Sequence, residues 1–253
     1  MILDAFNLAG KVAIVTGCDT GLGQGMTLGL AQAGCDIVGV NRKIPEETAE
    51  KVKALGRRFM AIQADLSQQD AIETIVTKAV AEMGRVDILV NNAGTIRRED
   101  ALSFSEKNWD DVMNLNLKSV FFLSQAVARQ FIAQGEGGKI VNIASMLSFQ
   151  GGIRVPSYTA SKSGILGVTR LLANEWAAHG INVNAIAPGY MATNNTQELR
   201  DDDKRSKEIL DRIPAARWGN PEDLQGPVVF LASKASDYIN GYTLAVDGGW
   251  LAR

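Results

Sequence analysis

The 253-residue sequence predicts an α/β fold, a single doubly wound parallel sheet of about seven strands with helices on both faces. Three observations predict it. Short apolar runs recur along the whole chain, each separated from the last by enough residues for a crossover helix. Several of these runs are apolar at consecutive positions rather than alternating, as strands covered on both faces require. No repeat of fixed period, low-complexity tract or Pro/Ser-rich linker interrupts the pattern, which predicts one domain spanning residues 1–253.

In chain order, residues 11–16 read as the first strand, followed by glycines at Gly17, Gly21, Gly23 and Gly25 and a helical pattern to about Gly34. Residues 36–41 read as the second strand, 45–55 as a helix opened by Pro45, and 59–62 as the third strand. Further strands are expected at 86–90, 139–144, 181–187 and 242–246. An apolar helix over 112–127 is interrupted by the polar Asn116, where a kink or π-bulge is expected. A long helical pattern runs from Ser157 to about His179, whose place before Gly180 reads as a helix end. The least regular stretch, 190–212, carries a charge cluster at 200–205. It reads either as a solvated helix face or as a lid over a substrate, and the sequence leaves both open.

Charge and composition exclude several classes. With 26 basic and 28 acidic residues the formal charge is −2, so there is no positive excess for a nucleic acid or an anionic membrane. No apolar stretch approaches the roughly 20 residues that span a bilayer, and no signal sequence opens the chain, so a cytoplasmic protein is expected. Two cysteines and one histidine leave no disulfide framework or four-thiolate zinc site, and no metal is expected. Cys18 and Cys35 read as small packed side chains, and Trp109, Trp176 and Trp218 as core or interface anchors, with Trp250 the tryptophan to watch.

In a parallel sheet of this kind, ligands bind beyond the carboxyl ends of the strands where the winding reverses. The turn Thr16-Gly17-x-x-x-Gly21-x-Gly23, which also carries Asp19, Thr20 and Leu22, ends the first strand there. Its glycines let backbone approach a pyrophosphate, and the helix that follows offers free N–H groups. Asn91-Asn92-Ala93-Gly94 ends the fourth strand as the second wall of the crevice. Asp65, followed by Leu66, reads as an acceptor for an adenine amino group or as a cap of the next helix; both are compatible. Asn41 and Arg42 end the second strand where an acidic ribose ligand is usual, so a 2′-phosphate is not excluded. Asp19 and Thr20 tilt the expectation toward NAD over NADP.

The fifth strand delivers Ser145 to the crevice, where a hydroxyl can donate to a substrate carbonyl. Tyr158 and Lys162 stand four residues apart on one helix face. A phenol's reference pKa of about 10 is high for a base near neutrality, and a nearby ammonium favours the phenolate. Taken together and in this order, these motifs, with Asn116 in Asn114-Leu-Asn-Leu-Lys118, Pro188-Gly189 and Val246-Asp-Gly-Gly249, resemble the short-chain dehydrogenase/reductase family along essentially the whole chain. The resemblance implies a Rossmann-type fold and a nicotinamide cofactor. It implies that Tyr158 is the general acid/base, Ser145 orients the reacting oxygen, Lys162 binds ribose and lowers the tyrosine pKa, and Asn116 holds a proton-relay water. Pro188, Gly189 and Thr193 are implied beside the nicotinamide carboxamide, and a homotetramer is implied through the helices over 108–134 and 157–179.

Within the family, residues 92–98 and 151–158 are similar to those of dehydrogenases of deoxy sugar acids in pectin and hexuronate breakdown. That implies interconversion of 2-dehydro-3-deoxy-D-gluconate and 2,5-diketo-3-deoxygluconate, alcohol to ketone, with NAD. Such a substrate needs a cation for its carboxylate, for which Arg154 and Arg97 are the expected partners and Arg98 the substitute. Two other readings remain: a 3-oxoacyl-thioester reductase, which would share the catalytic residues, and a nucleotide-sensing binding protein without chemistry.

Overall fold

Every residue of the first strand, β1 (Val12–Thr16), is buried, because its alternate side chains enter two different cores. Val12 and Ile14 face one helical layer and Ala13 and Val15 the other. The computed structural model describes residues 1–68 and 70–253. After β1 the chain runs through α1 (Gly21–Gln32), β2 (Asp36–Asn41), α2 (Glu46–Ala54), β3 (Phe59–Gln63), α3 (Asp70–Met83) and β4 (Ile88–Asn91). The second half adds α4 (Glu106–Met113), α5 (Ser119–Gln134), β5 (Gly138–Ile143), α6 (Pro156–Trp176), β6 (Ile181–Pro188), α7 (Gln197–Asp201), α8 (Asp203–Arg212), α9 (Gln225–Ala232) and β7 (Thr243–Val246).

The strands form one seven-stranded sheet in the order β3-β2-β1-β4-β5-β6-β7, and each neighbouring pair is parallel. The winding therefore reverses between β1 and β4, the crevice where a ligand is expected. One core packs β-strand side chains such as Ile14, Val38, Leu89 and Ile140 against α3, α5 and α6. The opposite core packs Val15, Ile37, Val90 and Ile186 against α1 and α9. Among the described residues no helix is long and apolar enough to cross a membrane.

Sequence expectation and structure agree on every strand to within two residues at each end. The interruption expected at Asn116 is a π turn over Asn114–Lys118 between α4 and α5, in which the Ser119 N–H donates to the Asn114 carbonyl. The long helix from the fifth crossover ends at Trp176 and continues as a short 3₁₀ turn over Ala177–His179, leaving His179 exposed at its end. The irregular stretch resolves into α7 and α8, and its charged residues 200–205 lie mostly exposed.

Candidate active site

Two turns meet where the sheet reverses. The Thr16 hydroxyl accepts from the N–H groups of Asn92 and Ala93 (3.0 and 2.9 Å), and the Asn92 amide donates back to the carbonyls of Thr16 and Gly17 (3.0 and 2.8 Å). Gly17 takes a positive φ of 65°, and a Cβ there would stand 3.0 Å from the Ala93 Cα. A Cβ on Gly23 would lie 1.9 Å from the Gly17 carbonyl oxygen, so no other residue can let α1 start this close to the turn. Thr20 precedes α1 and makes no capping hydrogen bond, so the first N–H groups of the helix keep no side-chain acceptor.

These turns form one wall of a cavity of about 870 Å³. Its lining includes Gly17, Asp19, Thr20, Gly21, Leu22 and Gly23 from the first turn and Asn92, Ala93 and Gly94 from the second. Ser145, Tyr158 and Lys162 line the same cavity from β5 and α6, and Pro188, Gly189 and Thr193 from the end of β6. The cradle of glycines, the uncapped helix start and the length of the crevice fit a dinucleotide.

Ser145 follows β5 and opens a short turn over Met146–Ser148, where its Oγ accepts from the Leu147 N–H at 3.1 Å and its own O–H remains able to donate. That hydroxyl and the Tyr158 phenol line the same cavity. Burial pushes the phenol above its ordinary pKa, while the nearby Ser145 hydroxyl and the Arg98 charge act against the rise. Lys162 is buried, and its pKa is pushed down to about 8 by burial. Its ammonium donates to the Ile143 carbonyl at 2.5 Å and lies 5.7 Å from the centre of the Tyr158 ring, over its face.

Asn116 does not line the cavity. Its amide is spent on the Thr95 backbone and, at 3.4 Å, on the Ser161 hydroxyl, because the π turn aims it at the loop after β4. A water held by Asn116 would have to use its main-chain carbonyl.

Four residues expected at the cofactor lie off the cavity lining. The Asn41 side-chain Oδ1 accepts from the N–H of Cys18 (3.2 Å) and from its thiol, so Asn41 braces the glycine turn. Leu66 buries its side chain in the core, and Asp65 accepts from the N–H (3.0 Å) and hydroxyl (2.8 Å) of Ser67 ahead of α3. Arg42 is exposed and near enough to Asp65 to lower the pKa of its carboxyl.

The expectation for Arg97 is corrected. Its guanidinium turns from the cavity to Thr95 Oγ1 (2.9 Å) and to Asp111 on α4 (3.4 Å), an ion pair that holds it against the helix. Arg98 takes the cavity position instead and reaches the Asn195 carbonyl at 3.3 Å. Arg154 does line the cavity, in a left-handed conformation (φ 62°), with its guanidinium on Asp100 at 3.2 Å. The segment 190–212 also contributes Leu199, Arg205, Glu208, Ile209 and Arg212 to the cavity lining. Arg205 and Arg212 were not singled out from sequence, since an exposed arginine in a charged helix carries no signal of the face it presents.

The profile of the short chain dehydrogenase family matches residues 11–204. The 2-dehydro-3-deoxy-D-gluconate 5-dehydrogenase of Dickeya dadantii (strain 3937) is 78% identical, with all of both chains covered. The protein of the same name from Escherichia coli (strain K12) is 77% identical over the same span. A crystal structure from Agrobacterium tumefaciens, assigned as a 2-deoxy-D-gluconate 3-dehydrogenase with bound NADP, is 56% identical, with a TM-score of 0.94 over 99% of this chain and 100% of that one. With the family's motifs meeting at the reversal of a parallel sheet and the match covering most of its length, the chain belongs to the short chain dehydrogenases, a family of nicotinamide-dependent oxidoreductases.

Proposed function

We propose that this chain interconverts 2-dehydro-3-deoxy-D-gluconate and its 2,5-diketo form by NAD(H)-linked oxidoreduction of one carbinol carbon, in hexuronate breakdown in the cytoplasm. The observation that carries the chemistry is that the hydroxyls of Ser145 and Tyr158 line one cavity with the glycine turn. Relatives 77–78% identical over the full chain bear the name of that activity, which supports the substrate class.

In the reducing direction a bound dinucleotide supplies the hydride to the carbonyl carbon. Tyr158 gives its hydroxyl proton to the carbonyl oxygen, and Ser145 donates a hydrogen bond to the same oxygen. The electron pair of the C=O π bond thus ends as the new O–H, and the phenolate left behind is reprotonated through solvent. Lys162 holds the ribose and, when protonated, the phenolate; Asn116 carries the relay water on its main chain. Gly17 to Gly23, Asn92 to Gly94, Pro188, Gly189 and Thr193 cradle the dinucleotide, with Asn41, Arg42, Asp65 and Leu66 at its adenosine end. Residues 190–212 act as the lid. Arg154 stands at the cavity rim and reaches a substrate by leaving Asp100. NAD is preferred because Asp19 lines the phosphate turn and Asp65 already faces Arg42. Exposed Trp109, Ile132 and Leu171 on α4, α5 and α6 support assembly as a homotetramer, testable by light scattering.

Absorbance of the reduced nicotinamide, followed with a panel of sugar acids and a 3-oxoacyl thioester, tests the reading. Turnover confined to deoxy sugar acids is expected. Preference for the thioester, or nucleotide binding with no turnover of any substrate, overturns it.

A further inference from the structure

We propose that Arg212, stacked on Trp250 at the end of the lid helix α8, is the group that selects an acid by taking the substrate's carboxylate; this rests on the sugar-acid reading above. Four arginines line the cavity: Arg98, Arg154, Arg205 and Arg212. Arg154 is paired with Asp100 and Arg205 with Glu208, so each already has a carboxylate. Arg98 has none among the described residues, but its charge falls on the Tyr158 phenol, which assigns it to the reacting end of the substrate. On a six-carbon acid oxidised near its far end, the carboxylate lies several bonds from that point.

Arg212 has no carboxylate partner among the described residues. Its side-chain contacts are the Gln150 amide oxygen at 3.4 Å and the face of Trp250, 4.0 Å from guanidinium carbon to ring centre. A guanidinium held by its flat face keeps its in-plane N–H groups free, and that fork matches a carboxylate.

The platform is fixed before any ligand arrives. Trp250 is only 4% exposed, packed with Met146, Ile209 and Ile213 and met edge-on by the Tyr190 ring at 4.8 Å. Its indole N–H is buried with no acceptor, so the tryptophan offers its face and not its donor. Three residues on, the Arg253 guanidinium donates to the carbonyls of Arg212 (2.7 Å) and Asp211 (3.3 Å), which no later turn of α8 can satisfy. The C-terminal tail thus sets both the ring and the end of the helix that carries the cation. Arg253 is a positioning residue for this contact.

The test compares the sugar acid with its amide, which keeps the shape and loses the charge. Arg212→Met is expected to raise the KM for the acid about tenfold or more and the KM for the amide by much less, the difference one charge-assisted contact makes. Titration of nucleotide fluorescence checks that the variant is folded. Arg253→Ala is expected to move the acid KM in the same direction by a smaller factor, with kcat within about threefold of wild type. If the wild type turns over the acid and Arg212→Met keeps the wild-type ratio of acid to amide, the inference is overturned. A wild type that turns over no sugar acid overturns the underlying reading instead.

Discussion

The Asn116 side chain and the backbone of Thr95 hold each other by two hydrogen bonds: the Thr95 N–H donates to Asn116 Oδ1 at 2.8 Å, and Asn116 Nδ2 donates to the Thr95 carbonyl at 2.9 Å. The pair ties the loop after β4 to the π turn between α4 and α5, and so sets the wall that carries Thr95, Ile96 and Arg98. Asn116→Ala leaves two half-buried backbone groups without these partners. A loss of roughly 1–3 kcal/mol is expected in denaturant unfolding, together with a fall in kcat. Wild-type stability in that variant would remove the clamp.

Tyr158→Phe is expected to abolish turnover and leave nucleotide affinity nearly intact, because it deletes the hydroxyl near Ser145 and nothing in the glycine turn. A positioned acid/base contributes about 10²- to 10⁴-fold. Stopped assays on the variant check this, and turnover above about a tenth of wild type would refute the acid/base role.

The sheet and the order of its motifs were legible in the sequence because strands buried on both faces leave runs such as Val12 to Val15 that little else explains. Asn116 announced its π turn in the same way, as one amide in an apolar helix. What was not legible is direction. Arg97 and Arg98 are adjacent and chemically identical, and only Asp111, one helix away, decides that the first turns outward. Asn41 was expected at the cofactor, and its side-chain oxygen accepts from the Cys18 N–H. Lys162 was expected beside Tyr158; the sequence carried no sign that its ammonium would also donate to the Ile143 carbonyl.

Lys162 also sets a pH dependence of stability. Its pKa is pushed from 10.5 for a free lysine to about 8 in the folded protein, so the unfolded chain binds the proton more tightly. Between those two values unfolding takes up a proton, and this residue's contribution to stability rises with pH across the window. Below about 8 both states are protonated and the full burial cost of the charge remains. Denaturant midpoints measured at the two ends of the window should therefore rise more in wild type than in Lys162→Met. Equal pH responses in the two proteins would show that the ammonium is not buried in solution.

Cofactor choice turns on Arg42, Asp19 and Asp65. A 2′-phosphate gains the exposed Arg42 but approaches the carboxylate that already faces it, whereas a ribose 2′-hydroxyl meets no such repulsion. The ratio of kcat/KM is expected to favour NAD, and Arg42→Ala to lower the NADP value more than the NAD value. The Agrobacterium relative was crystallised with NADP, so equal or higher efficiency with NADP in this chain would mean that Arg42 outweighs its acidic neighbours.

Arg97 and Arg98 make a matched pair of variants for the reacting end of the site. The Arg98 charge opposes the rise of the Tyr158 phenol, so removing it as Arg98→Met leaves burial less opposed and the phenol pKa higher. In the oxidising direction the phenolate is the base, and the acid limb of the kcat profile is expected to move to higher pH. In the reducing direction the phenol is the acid, and activity is expected to persist to higher pH. The two shifts share one sign because they report one group. Arg97 has the same charge on the preceding residue, but its guanidinium lies on Asp111, off the cavity lining. Arg97→Met is therefore expected to leave both limbs in place while loosening the contact with α4. If the two variants move the profile equally, the field at Tyr158 comes from the segment's net charge and not from the side chain that faces the cavity.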